Sequence, residues 1–192
     1  MADLVNMLTE VRAHYVAMFE EALKELREKG HTLIIEPAMV TETGELAREG
    51  VLNLGARHDL ALLEGDSATP SMFSPSRMLK FEPETFLGAG LNIVLTPFQW
   101  DNVRIAIEGE PDAVAAALAE WFENAIGAPD DVKEGEIQRA AHFLSDPVVE
   151  GRTSVVQADF GTADVHVVVA LFDMLRIAGA SRVEFGLPEE QD

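Results

Sequence analysis

An apolar residue returns every three or four positions along the first part of the chain, and that rhythm admits one structure. Leu4, Leu8, Val11, Tyr15, Met18 and Ala22 make a stripe, and Val5, Val16, Phe19, Leu23 and Leu26 widen it. The spacing predicts an amphipathic helix over residues 3–29. Gly30 closes it, with Arg27 and Lys29 in the last turn, where the helix dipole favours cations. At 1.5 Å per residue, roughly 26 residues span about 39 Å, longer than a typical globular helix. So long a stripe has to be covered, either by a sheet of the same chain or by a second copy. The heptad is sustained too briefly for a coiled coil proper. Leu4, Leu8, Val11 and Tyr15 are therefore candidate interface residues.

The remainder alternates strand and helix signals. Strands are expected at 31–36, 51–54, 60–63, 78–81, 91–96, 103–108, 153–159 and 182–185. Of these, 51–54 and 60–63 read as a hairpin, and 91–96 and 103–108 as partners. Helices are expected at 111–126, with Pro111 at its first position, at 136–144, and at 163–178, capped by Thr162. The stretches 41–50 and 65–76 read as loops, 128–135 as an acidic linker and 187–192 as an acidic tail. Mixed hairpins and helices imply an α+β fold in one domain, 1–192. The expected form is an antiparallel or mixed sheet with helices mainly on one face, a long N-terminal helix and a C-terminal βαβ unit over 153–186.

Charge narrows the partners. The 192 residues carry 34 acids against 14 bases, a net charge of −20, yet 47% are hydrophobic, so the acids coat a folded chain rather than a disordered tail. Nucleic acid and anionic membrane are disfavoured, because both need basic patches. With no cysteine, disulfides, thiolate nucleophiles and thiolate metal sites are excluded. No basic-then-apolar leader pattern opens the chain, and no apolar run nears the roughly 18 residues of a membrane span. A cytoplasmic protein is expected.

No catalytic motif stands out. Asp159-Phe160-Gly161 spells the metal-binding tripeptide of protein kinases, but the glycine-rich phosphate loop and His-Arg-Asp loop are missing, so the match is chance. Gly88-Ala89-Gly90 lacks the third glycine of a dinucleotide site. His58 and Asp59, with Glu64 and Asp66 nearby, could donate to a divalent ion, but neighbours on a strand face opposite ways. His142 and Asp146 lie one helical turn apart, with Asp146 past the expected helix end. No facial-triad or His-Glu-x-x-His spacing occurs, so neither metal nor cofactor is expected.

Three function classes stay open. The first is association without chemistry of its own, as a homodimer or with another protein, through the first helix and the aromatic loop of Phe98 and Trp100. The second is a small-molecule enzyme or ligand binder with a pocket beside the apolar 163–178 helix. There His166 and Asp173 share a face and Arg176 lies one turn on, the weak catalytic candidates. The third is an acidic, immunity-like inhibitor that masks a basic protein. It needs the acids gathered on one face, and residues 111–150 are densest, with nine acids against two bases.

Overall fold

The structure, a computed structural model, describes residues 2–65, 67–88, 90–127 and 136–188. Helix α1 (Ala2–Glu28) forms as its stripe requires. Strand β1 (Thr32–Ile35) follows, then β2 (Arg48–Glu49), β3 (Leu54–Gly55), β4 (Leu60–Glu64), β5 (Ser67–Ser71), β6 (Glu84–Gly88), β7 (Leu91–Leu95) and β8 (Val103–Glu108). Then come α2 (Pro111–Ala125), β9 (Phe143–Leu144), β10 (Val148–Glu150), β11 (Thr153–Asp159), α3 (Val165–Ile177) and β12 (Arg182–Gly186). The fold is α+β. Its main sheet runs β10-β11-β8-β12-β7-β6, with β9 also on β11, and a small antiparallel sheet runs β1-β4-β5. No helix among the described residues is long and apolar enough to cross a membrane.

Alternation explains the layers. Along β7, β8 and β12, Leu91, Ile93, Leu95, Val103, Ile105, Ile107, Val183 and Phe185 are buried on one face. That face carries the helices: Phe172 of α3 meets Phe185 at 5.2 Å, and Val114 of α2 lies against Gly109. The other face is polar, where Arg182 pairs with Glu184 at 2.8 Å and Glu108 at 3.9 Å. Helix α1 packs on α3, and its Tyr15 and Phe19 close on Phe73 beyond the small sheet. The C-terminal βαβ unit is present as β11, α3 and β12, with β8 between its two strands.

Several local expectations give way. β7 and β8 are not partners, because β12 lies between them, parallel to β7 and antiparallel to β8. Residues 51–54 and 60–63 form no hairpin: β3 pairs with β2, and β4 with β1 and β5. The Ser- and Pro-rich loop holds β5, where Pro70 suits an edge strand. The strand expected at 78–81 lies later, as edge strand β6.

The helix expected at 136–144 is irregular backbone instead, left-handed at Arg139 and ending in β9. Its amides find acceptors across the fold: Gln138 on Glu36, Arg139 on Thr162, Ala141 on the Ala125 carbonyl and His142 on that of Asp159. Each is an acceptor a helix would have had to supply from four residues back. Thr162 does not cap α3; the N-cap is Asp164. The expected linker 128–135 and the tail beyond 188 lie outside the described residues.

Candidate functional site

Two sheets end at one place. Ile35 pairs with Leu60 across β1 and β4, so Glu36 and Asp59, one step further on, meet, and the Glu36 amide donates to the Asp59 carbonyl at 2.9 Å. Asp159 pairs with Phe143 across β11 and β9, which puts His142 beside it. Register alone thus brings four titratable residues from distant parts of the chain to one point.

His142 stands at the centre, 1% exposed. Its Nε2 lies 2.7 Å from Glu36 Oε1 and its Nδ1 3.0 Å from Asp59 Oδ1. Asp159 Oδ2 is 3.5 Å from the same Nδ1. Behind the ring, Glu36 is fully buried and well supplied with donors. The Thr162 hydroxyl (2.7 Å) and amide (3.1 Å) donate to Oε1, and the Gln138 amide donates to Oε2 at 2.6 Å. Asp59 Oδ2 accepts from the Phe73 amide at 2.6 Å, and Asp159 Oδ1 from the Gly161 amide at 2.7 Å. Arg57 donates to the carbonyls of Ile126 and Glu36, tying the end of α2 to the site.

Two backbone positions are made for this ring. Glu36 has φ +53°, a left-handed conformation that non-glycine residues enter at a cost. Gly161 has φ +49°, and a Cβ there would lie 2.6 Å from the Ala140 carbonyl and closer still to the His142 ring. The glycine is the space into which the imidazole fits.

Burial and charge compete at each group. Burial alone would lower the His142 pKa, but Asp159, Asp59 and Glu36 outweigh it and hold the imidazole well above its ordinary value. Burial would raise Glu36, but the His142 and Thr162 hydrogen bonds keep it below the usual carboxylate value. At Asp159 burial wins over His142, and its pKa is raised. Asp101, half-buried nearby, is pushed up to about 7 by burial and by the charge of Asp159.

The Asp101 shift carries a prediction. The unfolded carboxyl releases its proton near 3.8 and the folded one near 7, so the folded state binds more protons in between. Stability contributed by this group must fall as pH rises through that window and then level off. Urea melts of wild type and Asp101→Asn at pH 4 to 8 check this. The variant should lack that decline, and parallel curves would remove the assignment.

Asp59, Asp101 and Asp159 line an open cavity of about 470 Å³, rimmed by Arg57, His58, Met72, Phe73, Asn102, Phe143 and Gln157. Across Phe143 lies a second cavity of about 220 Å³, lined by two acids, Glu49 and Asp146, of which Asp146 is taken up by the amides of Val51 and Leu52. Around a narrow pocket that shares Asp101 with the first, three polar atoms are buried with no hydrogen-bond partner among the described residues: Tyr15 Oη, Trp100 Nε1 and Asp101 Oδ1. Burial raises the Tyr15 pKa well above its usual value, and the charges of Asp159, Asp59 and Asp101 add to that rise.

The weak catalytic candidates lie elsewhere, and the candidate interface residues are interior. His166 and Asp173 are exposed on α3, Arg176 pairs with Asp173 at 3.5 Å, and among the described residues no hydrogen bond joins His166 to either. Leu4, Leu8, Val11, Tyr15, Phe98 and Trp100 are all at most 3% exposed. Phe98 packs edge-on to Phe185 at 5.5 Å and Trp100 on Phe160 at 5.0 Å. Their surfaces are used inside the chain. Asp66, a possible donor beside His58, lies outside the described residues. No family model, curated protein or solved structure matches the chain.

Proposed function

We propose that the protein binds a small cationic ligand in the Asp59–Asp101–Asp159 cavity and acts on it there. One observation carries this reading: four carboxyl groups, Glu36, Asp59, Asp101 and Asp159, converge on a place where His142 and Arg57 are the facing cations, and three of the four line an open cavity. Like charges held together in a poorly screening place repel, so a cation entering the cavity gains both attraction and relief of repulsion. The His142–Asp159 contact, with Asp101 near neutrality in its pKa, also offers groups that can exchange a proton with a bound ligand. The cytoplasm is the proposed setting, where a cysteine-free chain needs no oxidation to fold.

Thermal melts of the full chain with spermidine, agmatine and divalent cations test it. At a ligand concentration 100 times Kd, stabilisation is about 2.7 kcal/mol, roughly 5–10 °C in Tm for a chain of this size. The Asp159→Asn variant should lose most of that shift. Stabilisation by anionic metabolites instead of cations would overturn the reading.

A second reading is association through open sheet edges. Leu87 on edge strand β6 is 82% exposed and Val148 on β10 64%, and unpaired edges invite pairing between chains. A light-scattering mass of one chain across a wide concentration range would remove it.

A further inference from the structure

We propose that Asp59, His142 and Asp159 together ligate a divalent first-row metal ion, with Glu36 as the hydrogen-bond partner that orients the imidazole. This rests on the cavity reading and names its cation. The donor set is one nitrogen and two carboxylate oxygens, the chemistry that manganese, iron and zinc accept. One ligand atom from each residue lies within 4.8 Å of the others. The Nδ1 to Asp59 and Asp159 separations, 3.0 and 3.5 Å, are those of neighbouring ligands on one ion. Metal–ligand bonds of about 2.0–2.2 Å at right or tetrahedral angles require roughly that spacing.

The surroundings are those of a metal site. A ligating histidine usually donates its other N–H to a carboxylate, which fixes the tautomer and ring direction. On binding an ion, Nδ1 would release the proton it shares with Asp59 and offer its lone pair, while Nε2–H keeps its hydrogen bond to Glu36, and Thr162 and Gln138 hold Glu36 in turn. Asp59 and Asp159 border the cavity, so the remaining coordination positions face the space a substrate would enter.

An observation outside the triad points the same way. The Tyr15 hydroxyl is buried, lacks a hydrogen-bond partner among the described residues, and has Asp159 and Asp59 as its foremost charged neighbours. A buried donor left unpaired is expensive in a folded chain. An ion with bound solvent between these carboxylates would give that hydroxyl a partner.

The test uses the full chain with manganese chloride, zinc chloride or spermidine, each followed by calorimetry and thermal melts. A single Mn²⁺ should bind per chain, and spin-echo spectra of the complex should show coupling to a histidine nitrogen. Asp159→Asn keeps an oxygen for the Gly161 amide and so should fold; it should weaken Mn²⁺ binding at least about tenfold, the loss typical even of residues that only support a ligand. Asp173→Asn, on the surface of α3, should leave binding unchanged. Binding without nitrogen coupling, and indifferent to Asp159→Asn, would place the ion on the acidic surface and overturn the proposal. Spermidine binding that Asp159→Asn abolishes, with neither Mn²⁺ nor Zn²⁺ bound, would overturn the metal and keep the cavity. Binding by none of the three would remove both.

Discussion

Replacing His142 with alanine should remove about 3–5 kcal/mol of stability, the usual cost of taking one partner from a buried charge cluster. The ring is the hub of two hydrogen bonds and a third close carboxylate, and all four groups are at most 15% exposed. Without it, Glu36, Asp59 and Asp159 repel one another in a medium that screens poorly. At roughly 2–4 °C per kcal/mol for a chain of this length, Tm should drop by about 6–20 °C. His166→Ala, on the surface of α3, should stay within about 0.5 kcal/mol. Urea unfolding of both variants measures the contrast. Equal, small losses would mean that His142 is not the keystone of the cluster.

Gly161→Ala should have an effect nearly as large, though it adds only one methyl group. The new Cβ meets the His142 ring and the Ala140 carbonyl, and φ +49° is left-handed. Backbone strain of about 1–2 kcal/mol and overpacking of about 1–3 kcal/mol together predict a loss of roughly 2–5 kcal/mol. Gly179 separates the two causes. Its φ is +85° with nothing within 4 Å of a Cβ, so Gly179→Ala should show the backbone cost alone. If both glycines cost the same in thermal melts, the ring does not occupy the space assigned to it. If only Gly161→Ala also moves the His142 ring signals, the space is confirmed by a second route.

The elements that were legible in sequence are those whose own residues settle the matter. Helix α1 announces itself because its stripe repeats over many turns, and β8 and β11 alternate cleanly. The stretch 136–144 misleads because its apolar spacing fits a helix, while the acceptors that win, Glu36, Thr162 and Asp159, are far away in the chain. The hairpin expected from 51–63 fails for a like reason, since Asp146 takes the amides of Val51 and Leu52 into a turn. Strand order in the main sheet is likewise invisible locally, because β12 enters between β7 and β8 from the far end of the chain.

The site was legible only in pieces. Asp59 and His142 each read as possible metal donors in the sequence, but only beside their neighbours there, His58 and Asp146. On an extended strand adjacent side chains diverge, and Asp146 turns out to serve a different turn. The true partners are separated by 106 positions for Glu36 and His142 and by 83 for Asp59 and His142. Spacing rules for helices and loops cannot see such pairs. A weak signal existed at Asp159-Phe160-Gly161, where an acid ending a strand precedes a glycine, but the reason for that glycine is a ring contributed from elsewhere. The apolar surroundings of His166 belong to a helix whose polar stripe faces outward.

Side-chain NMR of the chain with labelled histidines tests the location of function most directly. The chain has five histidines: His14, His31, His58, His142 and His166. His58 lines the cavity, His142 lies behind its carboxylates, and the other three are elsewhere. During titration with zinc chloride or spermidine, the ring signals of His142 and His58 should shift and saturate together, while those of His166, His14 and His31 hold still. Shifts led by His166, or a silent His142 at saturating ligand, would contradict a working site at the junction of the two sheets.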